Sequence, residues 1–326
     1  MKAVQCTKYG PPEVLKIIEQ KKPRPKENEV LVRVRAASIN AYDARIMRGS
    51  PAPVRLQEGL LKPKNKILGA DIAGTVEMTG KNITGYAVGD LVYGCLSDGG
   101  GDSGFAEYAV AKEEALAPIP QDIPFEQAAA VPMAAVTALQ GLRDIGGIQR
   151  GQRVLINGAS GGVGTFAVQL SRAFGAEVTG VCSGRNAQMV RKIGADAVIN
   201  YEKEDFTKSG GQYDLILDIA ANHPLREIRR TLKPGGVCAV VGFSGFRHLV
   251  KIMLFGKGTM KKDGKKCEMV MADNRNAKDL VFLNGLLSSG EVVPVIDGCY
   301  PLADIQKAFA YFENMHAKGK IVIMLP

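Results

Sequence analysis

Three glycines, Gly158, Gly161 and Gly164, stand between a short apolar segment of β type, Val154-Leu155-Ile156-Asn157, and a helix-like stretch over residues 165–175. A strand, a tight turn and a helix in that order leave free amides and the positive end of the helix dipole facing the turn, which makes a pocket for a diphosphate. The glycines let the backbone turn, approach the phosphates and pack helix against strand. Ser160, Gly161, Gly162 and Val163 are then the expected phosphate-side residues. The GxxGxxG spacing is looser than GxGxxG, so the flanks carry the assignment; the other reading is an ordinary strand–helix turn of an α/β domain. The next strand, Glu177–Cys182, ends on Ser183-Gly184-Arg185-Asn186, with no acid at the tip. An acid there accepts bonds from the adenosine ribose of NAD, whereas a hydroxyl and a guanidinium suit a 2′-phosphate, so the expected cofactor is NADPH. Arg185 reads otherwise as a solvated residue at a helix start.

The elements that must hold this turn are legible around it. From about Phe125 the chain becomes alanine-rich and then alternates. Strands are expected at Val154–Asn157, Glu177–Cys182, Ala197–Asn200, Leu215–Asp218 and Val237–Val241, with helices over Gln188–Ile193 and Pro224–Thr231 between them. That alternation predicts an α/β fold with a parallel, doubly wound sheet. Residues before it read as mostly β, with strands over Val30–Ala36, Ala70–Met78 and Leu91–Gly94 punctuated by Gly and Pro. After it come a helix over Lys278–Leu287, a strand over Val292–Ile296, a helix over Asp304–Phe312 and a final strand over Lys320–Met324. The expected division is a β-rich domain over 1–122, the nucleotide domain over 123–265 as an insertion, and a return to the β-rich domain over 266–326, with a cleft between the lobes.

The chain's 326 residues suffice for two sizeable cores. No segment reaches the apolar length of a membrane span, and Met1-Lys2-Ala3-Val4-Gln5-Cys6-Thr7 reads as the start of a strand, not as a signal peptide. Six scattered cysteines with no CxxC pair are expected to be reduced thiols in a cytoplasmic protein. The net charge of +9 is concentrated between 245 and 267, where seven Lys and Arg face Asp263 alone and surround the apolar string Leu249-Val250-Lys251-Ile252-Met253-Leu254-Phe255. Such a segment reads as a peripheral contact with an anionic membrane, as a lid, or as a solvated loop. No nucleic-acid motif accompanies the charge, so nucleic acid is not an expected partner.

Several marks lie along the chain: Ala37-Ser38-Ile39-Asn40-Ala41-Tyr42-Asp43 with Arg48-Gly49, Gly69-Ala70-Asp71-Ile72-Ala73-Gly74-Thr75-Val76, Val88-Gly89-Asp90-Leu91-Val92 and Gly104-Phe105-Ala106-Glu107-Tyr108. The glycine run, Gly194-Ala195-Asp196, Asn200-Tyr201 and Leu232-Lys233-Pro234-Gly235-Gly236 complete the set, which covers nearly the whole chain. Taken in order, these marks resemble the medium-chain dehydrogenase/reductase superfamily, and more narrowly its zinc-free quinone oxidoreductases, the ζ-crystallin-like group that includes chloroplast-envelope homologues. The resemblance implies a GroES-like β-rich catalytic domain with an inserted Rossmann domain. Where metal-dependent relatives begin their zinc ligands with cysteine this chain has Asn40, and where they have Gly-His-Glu it has Gly69-Ala70-Asp71. The stretch from Tyr93 to Gly104 is too short for a four-cysteine lobe, and His223, His248 and His316 form no ligand pattern, so no metal is expected.

The resemblance also implies roles. Asn40 and Thr137 are expected near the nicotinamide, with Asn40 bonding either the ribose or the substrate oxygen, or serving only as a turn residue. Tyr42 is either a proton donor or a packing residue, and Asp43 a structural acid. Tyr201 is expected against the 2′-phosphate, Ala220, Asn222, Gly242 and Phe243 along the cofactor, and Lys320 near it. Without a Lewis acid, the remaining chemistry is hydride transfer from NADPH to an already activated acceptor, a quinone or an α,β-unsaturated carbonyl, with protein donors stabilising the oxygen that gains charge. A zinc-free alcohol dehydrogenase, an enoyl-thioester reductase and a non-catalytic NADPH-binding redox sensor are the alternatives. Cys267–Ala272 is apolar enough to be an edge strand joining a homodimer.

Overall fold

The computed structural model describes residues 1–64, 66–97, 104–242, 263–275, 277–314 and 317–326. The N-terminal elements are β1 (Lys2–Cys6), β2 (Leu15–Glu19), β3 (Glu29–Ile39), α1 (Ala41–Arg48), α2 (Ala52–Glu58), β4 (Asp71–Thr79), β5 (Leu91–Cys95), β6 (Tyr108–Lys112) and β7 (Leu116–Pro118). Next come α3 (Phe125–Ala130), α4 (Pro132–Gln140), β8 (Arg153–Asn157), α5 (Gly162–Ala173), β9 (Glu177–Cys182), α6 (Ala187–Lys192), β10 (Ala197–Asn200), β11 (Tyr213–Asp218), α7 (Leu225–Thr231), β12 (Leu232–Val240) and β13 (Lys266–Met269). The chain ends with α8 (Ala277–Ser288), β14 (Ile296–Pro301), α9 (Ile305–Glu313) and β15 (Lys320–Met324).

Two compact units divide these elements. The first contains residues 1–134, 274–290 and 294–326, and the second residues 135–273 with 291–293. In the first, a mixed sheet runs β14-β15-β3-β4-β5-β7, with β6 also paired to β3 and β1-β2 as a separate antiparallel pair. β3 is the spine: its alternating and then continuous burial gives it partners on both edges and a core on its face. Val30, Val32, Val34, Ile72, Phe105, Phe309 and Ile321 lie in that core, where Phe105 meets Phe309 edge-on at 5.7 Å.

In the second unit all strands are parallel, in the order β10-β9-β8-β11-β12-β13. Successive strands step outward one way from β8 and then the other way from β11, so the order reverses between these two. The core here includes Leu155, Val181, Phe206, Ile216, Ile228 and Val240.

The units divide the chain at places other than the expected 122 and 265. Residues 123–134 pack with the first unit because the buried small side chains Ala128, Ala129 and Ala130 let α3 lie against β3, β4 and β15. Residues 266–273 stay with the second, since β13 extends its sheet. Two local expectations change. Residues 292–295 are not a strand, and β14 begins only at Ile296, with Pro294 removing a ladder donor just before it. The helix after the glycine run starts at Gly162, three residues earlier than its apolar pattern suggested. Among the described residues no helix is long and apolar enough to cross a membrane.

Candidate active site

Strand register assembles a polar cluster in the first unit. β15 runs antiparallel to β3 with Ile321 opposite Ile39, which brings Lys320 to Asn40. β4 runs antiparallel on the other side with Asp71 opposite Ser38, and β5 sets Cys95 opposite Asp71. All of these side chains are buried, Asp71 completely and Lys320 to within 3 %.

Asn40 ends β3 and caps α1. Its backbone N–H donates to Asp43 Oδ2 at 2.8 Å, and Ala70 N–H donates to the other oxygen, Oδ1, at 3.1 Å. Its side-chain Nδ2 donates to Asp71 Oδ2 at 2.9 Å and to Ser38 O at 3.4 Å, while Lys320 Nζ donates to its Oδ1. The amide orientation follows from chemistry, because an ammonium only donates and a carboxylate only accepts. Asp71 also accepts from Ser38 Oγ at 3.1 Å and from Met133 N–H at 3.1 Å, and it lies 3.6 Å from Lys320 Nζ. Burial, with Asp71 nearby adding to it, pushes the Asp43 carboxyl up to about 7, against its backbone bonds and Lys320, which pull it down. Burial lowers the Lys320 ammonium, and Asp71 and Asp43 oppose that. The Cys95 thiol is pushed well up, first by burial and then by Asp71. Tyr42, two residues into the helix, is half-buried and packs on the first unit's core.

The second unit holds the glycine turn. Gly158 has φ +95°, which favours glycine. Gly158 N–H and Ala159 N–H both donate to Val181 O, at 3.1 and 3.0 Å, strapping the turn to the end of β9. A Cβ on Gly164 would lie 2.1 Å from Gly158 O, so that position must be bare for the helix to meet the turn. A Cβ on Gly161 would find only Gly158 O at 3.7 Å. Gly161 is thus the glycine with open space beside it, and it is the N-cap of α5. The first bond into the helix is Thr165 N–H to Gly161 O, leaving the N–H groups of Gly162, Val163 and Gly164 without helical acceptors. Beside them Asn186 Nδ2 donates to Ser160 Oγ at 3.1 Å, and the buried Asn186 Oδ1 has no partner among the described residues. Open space beside a helix N-terminus, unspent amides and an orphaned carbonyl oxygen fit a dinucleotide's diphosphate and its adjoining sugar.

At the switch point, Asn157 ends β8 and Asp218 ends β11 in register. Asn157 Nδ2 donates to Asp218 Oδ1 at 2.7 Å and to Asn222 Oδ1 at 3.0 Å. Ala221, at φ +46°, is held by its N–H on Asp218 Oδ1 at 2.9 Å. Ala220 and Asn222 are exposed, and a Cβ on Gly242 would strike Ile219 O at 2.1 Å. Phe243 lies outside the described residues, as do residues 245–262 of the basic segment, His248 and His316. Of that segment's lysines, Lys265 donates to Arg229 O at 2.9 Å and Lys266 is exposed on β13. His223 stacks edge-on against Phe206 at 4.7 Å.

Ser183 is buried at the tip of β9, Arg185 is exposed on the turn after it, and Tyr201 is 60 % exposed just beyond β10. The sequence reading found no acid at that tip, but the fold delivers one from the turn after the neighbouring strand: Glu202 Oε2 accepts the Gly184 N–H at 3.0 Å. Thr137 is buried on α4 in the second unit. Sequence reasoning missed the functional weight of Asp71, Asn157, Asp218, Asn186 and Glu202. Asp71 within the apolar run Ala70-Asp71-Ile72-Ala73 was the available signal, since an acid is almost never fully buried unless paired.

Residues 26–121 match the family described as Alcohol dehydrogenase GroES-like domain, and residues 193–323 the one described as Zinc-binding dehydrogenase. The Chloroplast envelope quinone oxidoreductase homolog of Arabidopsis thaliana is 32% identical over 99% of this chain and 98% of its own. The NADPH-dependent alkenal/one oxidoreductase, chloroplastic, of the same plant is 32% identical over 99% of this chain and 79% of its own. Among solved structures, the quinone oxidoreductase from Coxiella burnetii superposes with a TM-score of 0.89 at 28% identity, covering 100% of this chain and 99% of that one. A GroES-like unit, a switch-point nucleotide unit and full-length relatives agree: the chain belongs to the medium-chain dehydrogenase/reductase superfamily, among the quinone oxidoreductase homologues, and is a nicotinamide-dependent oxidoreductase.

Proposed function

We propose that the protein reduces quinones or α,β-unsaturated carbonyls with NADPH and without zinc. The observation that carries this reading is the polar cluster around Asn40. Where zinc relatives place a thiolate and an imidazole, this chain places Asn40 and Ala70, and the amide of Asn40 is engaged by a lysine and a carboxylate. Relatives named for quinone and alkenal/one reduction support the substrate class. NADPH over NADH rests on Ser183, Arg185 and Tyr201 around the β9 tip, with Glu202 opposing it.

When bound, the reduced nicotinamide supplies a hydride. The amides of Gly162, Val163 and Gly164 hold the diphosphate, and Gly161 lets it approach. Asn40 orients the nicotinamide end: its Nδ2 donors are spent inside the protein, so it would meet a ribose hydroxyl as an acceptor through Oδ1. Tyr42 packs and holds α1 in place. β13 is the edge strand of its sheet and is the surface through which two copies would join as a homodimer.

The test is a panel: NADPH and NADH consumption with quinones, 2-alkenals, enoyl thioesters and simple ketones, with and without chelator, beside elemental analysis. Turnover of quinones or enones with NADPH, undiminished by chelator and with no stoichiometric zinc, supports the reading. Nucleotide binding with no turnover would replace it with a sensor, and one tightly held zinc per chain would remove the metal-free part.

A further inference from the structure

The buried cluster raises a question of which group can face a negatively charged oxygen. Asn40 is not a free donor. Both hydrogens of its Nδ2 point into the protein, at Asp71 Oδ2 and Ser38 O. Ser38 Oγ is spent on Asp71 as well. Asp43 accepts two backbone N–H groups and offers only lone pairs while ionised. Lys320 differs. Its ammonium has three N–H donors; one goes to Asn40 Oδ1 and one faces Asp71 at 3.6 Å. The third has no acceptor among the described residues. An ammonium this deeply buried, with a carboxylate fixing it and one donor unspent, is an electrophile built into the sheet.

We propose that Lys320 is the hydrogen-bond donor to the acceptor's oxygen as charge develops there, and that Asp71 is the residue positioning it. This rests on the reductase reading. For an enone, the C–H bond at C4 of the dihydronicotinamide breaks and the hydrogen leaves with both electrons, forming a C–H bond at the β-carbon. The C=C pair shifts toward the carbonyl, and the carbonyl π pair moves onto oxygen. The enolate so formed is held by a Lys320 N–H, and a proton from water then adds at the α-carbon. Lys320 keeps its own proton throughout. For a quinone the same donor meets the oxygen that becomes phenolate. The donor is thus a fixed cation supplied by the last strand and aimed by Asp71 on β4.

The test uses the full-length protein with NADPH and one acceptor that the wild type reduces. Lys320→Met leaves two buried carboxylates without their cation and so risks misfolding. The double variant Lys320→Met with Asp71→Asn removes the donor and the nearest carboxylate charge together and is the primary probe. Loss of one oxyanion donor lowers kcat roughly 100- to 1,000-fold, while NADPH binding, read by fluorescence titration, stays within about threefold of wild type, a factor worth less than 1 kcal/mol. A merely structural pair would regain kcat in the double variant, and a kcat within threefold of wild type overturns the inference. Asp71→Asn alone supplies a second readout. Asp71, Asp43 and Cys95 are the titratable groups facing Lys320 and Asn40 is its neutral polar neighbour; removing the nearest negative charge shifts the alkaline limb of kcat to lower pH. An unmoved limb counts against an ammonium in the reaction. If wild type reduces no quinone or enone, the reductase reading itself fails and takes the inference with it.

Discussion

Alanine at Gly161 and alanine at Gly164 should do opposite things, although the glycines lie three residues apart in one turn. At Gly164 the new methyl would sit 2.1 Å from Gly158 O and 2.8 Å from Ala159 backbone atoms. None of these is a flexible side chain, so the turn and α5 must separate, at an overpacking cost of about 1–3 kcal/mol. At Gly161 the nearest atom is 3.7 Å away, and φ −84°, ψ 179° suits any residue. The only structural loss there is a good N-cap, about 1 kcal/mol or less. The space that the methyl enters is the space the diphosphate needs, so NADPH and NADH should each bind at least roughly tenfold more weakly, a change of about 1.4 kcal/mol. Thermal unfolding of the ligand-free variants and fluorescence titration with each nucleotide separate the two effects. Gly164→Ala should lower Tm by several degrees, on the scale of about 2–4 °C per kcal/mol, and Gly161→Ala by much less. A Gly161→Ala protein that binds both nucleotides as tightly as wild type would refute the placement of the diphosphate at this helix end.

Arg185→Ala should weaken NADPH binding by roughly 1–3 kcal/mol through loss of a charged hydrogen bond while leaving NADH nearly unchanged, and Glu202→Gln should shift preference further toward NADPH. Parallel changes for both nucleotides in titrations of either variant would place the 2′-phosphate elsewhere. Asp43 supplies a pH prediction: its carboxyl stands at about 7 in the folded protein, against about 4 unfolded. An acid with a raised folded value binds its proton more tightly when folded, so its stabilising contribution is complete below about pH 4 and is lost as pH rises to about 7. In urea unfolding, the stability of wild type relative to Asp43→Asn should therefore fall across that window and level off above it. A pH-independent difference would mean that Asp43 ionises normally.

The nucleotide unit was the more legible of the two because its signals are local. Strand, glycine turn and helix are contiguous, and the alternation of β8 through β12 is written in apolar runs. The polar cluster could not be read that way. Asn40 and Lys320 are named by resemblance alone, and nothing in their local sequence states that they touch. Their contact is a product of register: β15 must pair with β3 so that Ile321 meets Ile39, and β4 must pair so that Asp71 meets Ser38. A slip of one residue in either pairing would send these side chains to the other face. The same physics explains the missed acid at the β9 tip. The tip's own residues carry no carboxylate, and Glu202 arrives only because β10 lies beside β9 in parallel.

This difference bears on what each site can specify. A turn built from contiguous backbone amides recognises what most dinucleotides share, the diphosphate, and discriminates little beyond it. Discrimination needs side chains brought from separate strands, since only these can set charges at chosen positions. At the β9 tip the opposed charges of Arg185 and Glu202 come from the turns that follow two neighbouring strands. In the buried cluster two carboxylates and one ammonium come from α1, β4 and β15. Burying three charges is weak evidence of stabilisation, because desolvation opposes their attraction and well-packed apolar residues often serve as well. The cluster spends nearly every donor and acceptor internally yet leaves one Lys320 N–H without a described partner. A network made for stability alone would close on itself. One with a single open donor on a fixed cation is arranged around an oxygen that the protein does not itself supply.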